Sequence, residues 1–322
     1  MECYPLLFDP ILMERLWGGT RLHEVLGKPD RGAGIGESWE LSGVPAAVSV
    51  VSNGLYSGED LNTLIGTFGA ELLGTRVLER FGGEFPVLIK FIDAREDLSI
   101  QLHPDDAMAR RRHNSFGKTE MWYIMDADPG ASLIVGFNRD VQPREYQEAL
   151  AEGRLTELLH YEPVTEGDAY FINAGKIHAI GGGILLAEIQ QTSDVTYRVY
   201  DFDRRDAQGK LRELHTEQAL EAMDFKQRDD FCLAYDRTVT GGQVLADTPY
   251  FTTHFLHLTS DTHKDLSDRD SFTVLVCVDG TAEVVLKDGT AKVRRGETLL
   301  LPACAESLTL RTKSCKLLEV HL

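Results

Sequence analysis

Basic residues are scarce in this chain: 33 Lys and Arg stand against 51 Asp and Glu over 322 residues, a formal net charge of −18. Such a field repels phosphodiester backbones and anionic headgroups, so nonspecific binding to nucleic acid or to an anionic membrane is not expected. An anionic substrate would need a locally basic pocket working against that field. No apolar run approaches the roughly 20 residues that a membrane-spanning helix needs. The opening MECYPLLFDPILMERLWGG lacks a basic stretch followed by an apolar one, so no secretory leader is expected. Cysteine is sparse and unpatterned. Cys3, Cys232, Cys277, Cys304 and Cys315 are odd in number and form no CxxC pair. Reduced thiols in a cytoplasmic protein are the simplest reading, with neither a disulfide framework nor a thiolate metal site.

What the chain does have is an ordinary globular composition, 43% apolar and 26% charged, at a length that permits two domains and a large core. Short strand-like runs follow one another quickly: residues 86–94, 98–103, 119–127, 131–137, 169–174, 184–191 and 195–203. Many alternate in period two, which predicts half-buried antiparallel strands. Three stretches carry helical spacing. These are 59–81, with Leu61, Leu64, Ile65, Phe68, Leu72 and Leu73; 143–160, with Pro143 in the first turn; and 215–225, with Thr216 as a possible cap. From about Tyr250 the pattern is again all strand, with Asp279-Gly280 and Asp288-Gly289 as hairpin signals.

One segment stands out. GDAYFINAGKIHAIGGG, residues 167–183, climbs through alternating apolar residues to an Asn173/Gly175 turn and presents His178 at the start of the next strand. Gly296, five residues and Pro302 repeat its opening near the C-terminus without the histidine, as expected of a duplicated barrel unit whose second copy has lost its metal site. The expected architecture is mainly β: two barrels with a few peripheral helices. A catalytic domain over residues 1–205, a polar connecting segment over 206–239 and a degenerate C-terminal barrel over 240–322 make up the expected layout.

Gln101 and His103 are two apart and share a strand face. Lys118, Glu120 and Trp122 share another. His103, Glu120 and His178 therefore offer two imidazoles and a carboxylate on nearby strands, a set suited to a divalent metal with open coordination positions, and Gln101 could add an oxygen. Lys118 is either a solvated lysine or a charge beside the metal that moves protons. Arg198, among the aromatics of SDVTYRVYDF, is either packed against an acid or turned inward to hold an anion or oxyanion. Glu37 and Trp39 read as a capped turn beside the pocket. Arg110-Arg111-Arg112 reads as a solvated face. His113, His160, His215, His254, His257, His263 and His321 have no comparable setting.

The segments LSIQLHPDD, GKTEMWYIMDADPGASLIVGF, GDAYFINAGKIHAIGGG and LAEIQQTSDVTYRVYDFDR, with YPLLFDPILMERLWGG and GESWELS, together resemble the type I phosphomannose isomerases in their short bacterial form. The resemblance implies a double cupin fold with a small helical insertion. It implies a zinc enzyme, one ion per chain, that interconverts mannose 6-phosphate and fructose 6-phosphate. By motif, His103, Glu120 and His178 correspond to the zinc ligands and Gln101 to a fourth ligand of longer relatives. Arg198 and Lys118 correspond to the active-site arginine and lysine. The expected partner is a small sugar phosphate, with no nucleic acid and no membrane; nothing in the sequence sets an oligomeric state. Two other classes share the residue pattern: a non-haem Fe(II) cupin oxygenase, whose site is also two histidines and a carboxylate, and a non-catalytic sugar-binding cupin regulator.

Overall fold

The computed structural model describes residues 1–32, 34–205 and 208–322. The first barrel is built from two antiparallel sheets. One runs Ile11–Gly19, Ile35–Leu41, Val87–Ala94, Ile184–Gln191, Glu120–Ala127 and Ala169–Ile172, in that spatial order. The other runs Tyr197–Tyr200, Ile100–Leu102, His178–Ile180, Ser132–Phe137 and Leu159–Pro163. The second barrel is an eight-stranded sheet built mostly from residues 241–321. Its edge strand is Leu6–Leu7, which pairs with Leu299 and Leu300, so the chain's first residues cross to the far barrel.

Two central strands depart from the half-buried expectation. Val87–Ala94 and Ile184–Gln191 are buried along their whole length. Their two faces have different neighbours. Val87, Ile89, Phe91, Leu185, Ala187 and Ile189 join a core with Phe255, Phe272, Val274, Leu318 and Val320 of the second barrel. Ile92, Ala94, Ile184 and Leu186 face inward with Trp17, Trp122 and Ile180. A sheet packed against a second barrel on one face and lining its own barrel's interior on the other is buried throughout, so apolar residues occupy both faces and the period-two signal is lost. The second barrel fills its own interior with apolar side chains such as Leu275, Val284, Val293, Leu308 and Leu317.

Three local readings need correction. The 59–81 stretch is three short helices, Leu61–Phe68, Ala70–Leu73 and Thr75–Phe81. They break at Gly69 (φ 50°) and Gly74 (φ 91°), and a Cβ on Gly74 would lie 2.4 Å from the Asp270 carbonyl oxygen. The 143–160 stretch is a helix only over Pro143–Ala151, then a 3₁₀ turn and a strand. The Asp279-Gly280 signal marks no hairpin. Thr273–Leu286 runs through it with a register shift between Cys277 and Asp279, a bulge with Gly280 at φ 73°. The Asp288-Gly289 signal does mark a hairpin, with Leu286 paired to Gly289. Two helices escaped the sequence reading, the single turn Arg21–Glu24 and the longer Asp106–His113. Asp106–His113 carries the arginine run, and the Asp105 carboxylate caps it by accepting from the Met108 N–H at 2.8 Å. The expected duplication has a structural counterpart. Gly167 (φ 87°) and Gly296 (φ 84°) each sit two residues before a strand, Ala169–Ile172 and Thr298–Leu301.

A candidate metal centre in the first barrel

The two sheets of the first barrel bring three side chains to one point. His103 follows directly on the strand Ile100–Leu102, Glu120 opens Glu120–Ala127, and His178 opens His178–Ile180. One ligand atom from each lies within 4.8 Å of the others, the only such group of His, Cys, Asp or Glu among the described residues. The Asn173/Gly175 turn sets the position of His178. Gly175 donates its N–H to the His103 carbonyl at 2.8 Å, which ties the two histidine-bearing segments together. Gly175 sits at φ 81°, and a Cβ there would lie 2.7 Å from the Ala222 carbonyl oxygen, so both conformation and space call for glycine.

The imidazoles are oriented by backbone. His103 Nδ1 lies 2.9 Å from the Val195 carbonyl oxygen and His178 Nδ1 lies 2.8 Å from that of Lys176. A carbonyl can only accept, so each Nδ1 carries the proton and each Nε2 presents a lone pair. His103 Nε2 stands 3.3 Å from Glu120 Oε1, and His178 Nε2 stands 3.8 Å from Glu120 Oε2. Lys118 Nζ lies 2.9 Å from Glu120 Oε1, while His103 Nε2, His178 Nε2 and Glu120 Oε2 are buried without a hydrogen bond from the protein. Three such lone-pair atoms gathered out of water are poorly solvated. A cation at their centre satisfies them, and the donor set of two imidazoles and a carboxylate fits a divalent transition metal. Burial, and then the Lys118 charge, push the His103 imidazole down to about 3 against the pull of Glu120. Burial likewise lowers His178. Both rings are thus in the neutral form that coordinates.

The centre opens onto a cavity of about 320 Å³. Gln101 lines it, and its Cα register places it between His178 and Arg198 on neighbouring strands. Its side-chain oxygen accepts from the Ser99 hydroxyl at 3.2 Å. Lys118 is buried with its Nζ 2.9 Å from Glu120 Oε1. Burial alone would lower its pKa, but the carboxylates of Glu120, Glu188 and Glu37 outweigh burial and raise it. Arg198 also lines the cavity. It donates from Nη1 to the Glu213 carbonyl at 2.9 Å, and its Nε is buried with no hydrogen bond.

Sequence reasoning missed part of the wall. Glu37 and Trp39 lie on the strand Ile35–Leu41, not in a capped turn, and both face the cavity. Arg15 grips Glu37 through Nε and Nη2, each at 3.0 Å, and the Trp39 indole donates to the same carboxylate at 2.7 Å. Lys90 Nζ lies 3.2 Å from Glu188 Oε1, and the Trp122 indole donates to Glu188 Oε2 at 3.0 Å. Burial and the neighbouring Glu120 raise the Glu188 carboxyl above its ordinary range. Lys90 and Glu188 are cross-strand partners. The available signal was a charged residue at an inward position of two otherwise apolar strands. The remaining histidines lie outside the centre, and Arg111 and Arg112 pair with Glu221 on the surface.

Comparisons with known proteins agree with this geometry. The model of the phosphomannose isomerase type I catalytic domain matches residues 6–131, and that of the mannose-6-phosphate isomerase cupin domain matches residues 242–322. The mannose-6-phosphate isomerase of Streptococcus mutans is 34% identical over 305 residues, 94% of each chain. That of Bacillus subtilis is 35% identical over 305 residues, again 94% of each. A crystal structure of the Bacillus subtilis mannose 6-phosphate isomerase superposes with a TM-score of 0.88 at 31% identity, covering 99% of both chains. His103, Lys118 and Glu120 fall inside the first matched segment; His178 and Arg198 fall outside both.

Proposed function

Because the chain belongs to the type I phosphomannose isomerase family and is an aldose–ketose isomerase, we propose that its first barrel interconverts mannose 6-phosphate and fructose 6-phosphate through an enediol, with one zinc ion. His103, Glu120 and His178 would hold the ion, with Gln101 beside them as a further oxygen donor. Bound there, zinc supplies a Lewis acid toward the substrate's carbonyl and hydroxyl oxygens.

The chain's own residues account for the rest. Isomerisation moves a hydrogen between C1 and C2, so a proton must leave one oxygen and reach the other. As a cavity carboxylate such as Glu188, whose pKa is raised by burial and by Glu120, takes the proton from C2, Lys118, held as an ammonium by its carboxylate neighbours, can give a proton from Nζ to the oxygen on C1. When the carboxylate returns its proton to C1, Lys118 recovers one from the oxygen on C2. Arg198 offers unfilled donor capacity where negative charge develops on the enediolate. Lys90, Glu188 and Trp122 form a wall held by the Lys90–Glu188 ion pair and the Trp122 indole hydrogen bond to Glu188, which favours one orientation of the sugar. The residues 206–239 are the proposed connecting segment between a catalytic domain (1–205) and a structural barrel (240–322). No helix among the described residues is long and apolar enough to cross a membrane; with five free cysteines, we place the enzyme in the cytoplasm.

The observation that carries this reading is the convergence of His103, Glu120 and His178 on one point beside a sugar-sized cavity, with His103 Nε2, His178 Nε2 and Glu120 Oε2 buried and unbonded. The test is turnover of mannose 6-phosphate in D₂O. An enediol route incorporates solvent deuterium at C1 of the product or C2 of recovered substrate. Turnover with no exchange at all would point to direct hydride transfer. Oxygen consumption without isomerisation would move the site to the oxygenase class.

A further inference from the structure

We propose that Cys304 is a peroxide-reactive thiol and that Cys3 resolves its oxidised form into a disulfide, stapling the chain's first segment to the second barrel. All five cysteines are free thiols, so the staple is a second, oxidised state. It is independent of the reaction in the first barrel.

The two cysteines lie far apart in sequence and are brought together by three sets of contacts. Leu6 pairs with Leu300 and Leu7 with Leu299, antiparallel. Counted outward in the same register, Cys3 comes level with Ala303, the neighbour of Cys304. Glu71 then touches both segments: its carboxylate takes the Met1 amino group, and its carbonyl accepts from the Cys304 N–H at 2.9 Å. Finally, Cys304 packs against the apolar cluster that contains Cys3, and the Cys3 thiol donates to the Cys304 sulfur.

One member of the pair is pinned and the other can move. Cys3 is buried, and its backbone is bonded to Asp288 twice. Its N–H donates to the carboxylate at 2.8 Å, and its carbonyl accepts from the Asp288 N–H at 3.1 Å. Cys304 is half-buried, in a turn closed by the Ala305 N–H on the Pro302 carbonyl at 3.0 Å. A turn outside the ladder can shift to the S–S contact of about 2 Å that a disulfide needs. The remaining cysteines are worse placed. Cys277 and Cys315 have their sulfurs 3.7 Å apart, but both are sealed in the second barrel, and the hydrogen bond to Cys315 and burial push the Cys277 thiol up. Cys232 is exposed, yet partial burial and the carboxylates of Glu162 and Asp168 push its thiol up, and no second cysteine faces it.

At Cys304 the hydrogen bond from Cys3 works against burial and brings the thiol down to about 7. A large share is therefore thiolate at neutral pH, the nucleophilic form. The thiolate attacks one oxygen of hydrogen peroxide. An S–O bond forms, the O–O bond breaks, the sulfur is oxidised to a sulfenic acid, and the departing hydroxide takes a proton to become water. The Cys3 sulfur then attacks the sulfenic sulfur. An S–S bond forms, the S–O bond breaks, and the hydroxyl leaves with the Cys3 proton as a second water.

The test exposes the full metal-loaded chain to hydrogen peroxide at pH 7, as wild type, Cys304→Ser and Cys3→Ser, with alkylation and peptide mapping without reductant. A pKa of about 7 against an ordinary 9.0 raises the thiolate fraction about 50-fold. The weaker nucleophilicity of a weaker base takes back about eightfold, so Cys304 should be lost roughly fivefold faster than Cys232. The first product in wild type should be a peptide pair joined through Cys3 and Cys304, undone by dithiothreitol, with Cys277 and Cys315 still reduced. Cys3→Ser should stop at a sulfenic acid on Cys304 that dimedone traps, and Cys304→Ser should leave Cys3 unmodified. Oxidation of Cys232 ahead of Cys304, a bond between Cys277 and Cys315 instead, or oxidation of Cys3 in Cys304→Ser would each overturn the proposal. The wild-type map decides alone should either variant fail to fold.

Discussion

Glu37→Gln should destabilise the protein by an amount that depends on pH. The Glu37 carboxylate is buried, which alone would raise its pKa. Lys90, the two bonds from Arg15 and the indole of Trp39 reverse this, and hold it at about 2 against an ordinary 4.5. A carboxyl whose pKa is lower in the folded state binds fewer protons there. Its contribution is therefore complete above 4.5 and fades as pH falls toward 2. A shift from 4.5 to about 2 gives on the order of 3 kcal/mol at pH 7 and about 1 kcal/mol at pH 3. Glutamine keeps the shape and one acceptor oxygen but not the charge. Urea unfolding of wild type and Glu37→Gln at pH 7, 5, 4 and 3 reads the difference directly. It should be largest at pH 7 and shrink by half or more at pH 3. A difference that stays constant across that range, or is absent at pH 7, would refute the electrostatic account and leave Glu37 as a shape-filling residue.

Arg198→Ala should lower kcat by roughly 10²–10³, about 3–4 kcal/mol, with metal content unchanged; a folded, metal-loaded variant with normal kcat would return Arg198 to a packing role. Gly74→Ala forces a Cβ to 2.4 Å from the Asp270 carbonyl oxygen at φ 91°. It should lose about 2–4 kcal/mol in urea titration while activity per folded molecule is kept; a loss under 0.5 kcal/mol would show that the helix junction relaxes freely. Phe272→Ala opens the core shared by the two barrels, where its fully buried ring lies 4.7 Å from that of Phe85, and should lose about 3–5 kcal/mol. An unaltered melting transition would mean that the barrels do not support one another.

The three residues of the candidate centre could be picked out because each rests on local rules: strand alternation for Gln101/His103 and for Lys118/Glu120/Trp122, and an Asn/Gly turn for His178. The mainly β double-barrel architecture was legible from strand density and the repeated Gly167 and Gly296 motifs. Lys90, Glu188, Glu37 and Arg15 were not, because their meaning comes from partners across the sheet: a charge in a largely apolar strand marks a position but not what it pairs with. The helix over 59–81 failed since period-3.6 leucines were counted through Gly69 and Gly74, whose positive φ values end one helix and begin the next. Asp106–His113 was passed over because its arginines obscure a short apolar contribution from Met108 and Ala109. The burial of Val87–Ala94 on both faces depends on a second barrel that no local window contains.

The most direct test of the central claim is a zinc titration of chelator-stripped protein, followed by the coupled conversion of mannose 6-phosphate to fructose 6-phosphate. Activity should start near zero, rise in proportion to added zinc and saturate at one equivalent per chain, and Glu120→Gln should neither retain the ion nor recover. Full activity before any metal is added, or saturation only at two equivalents, would contradict a single functional centre at His103, Glu120 and His178.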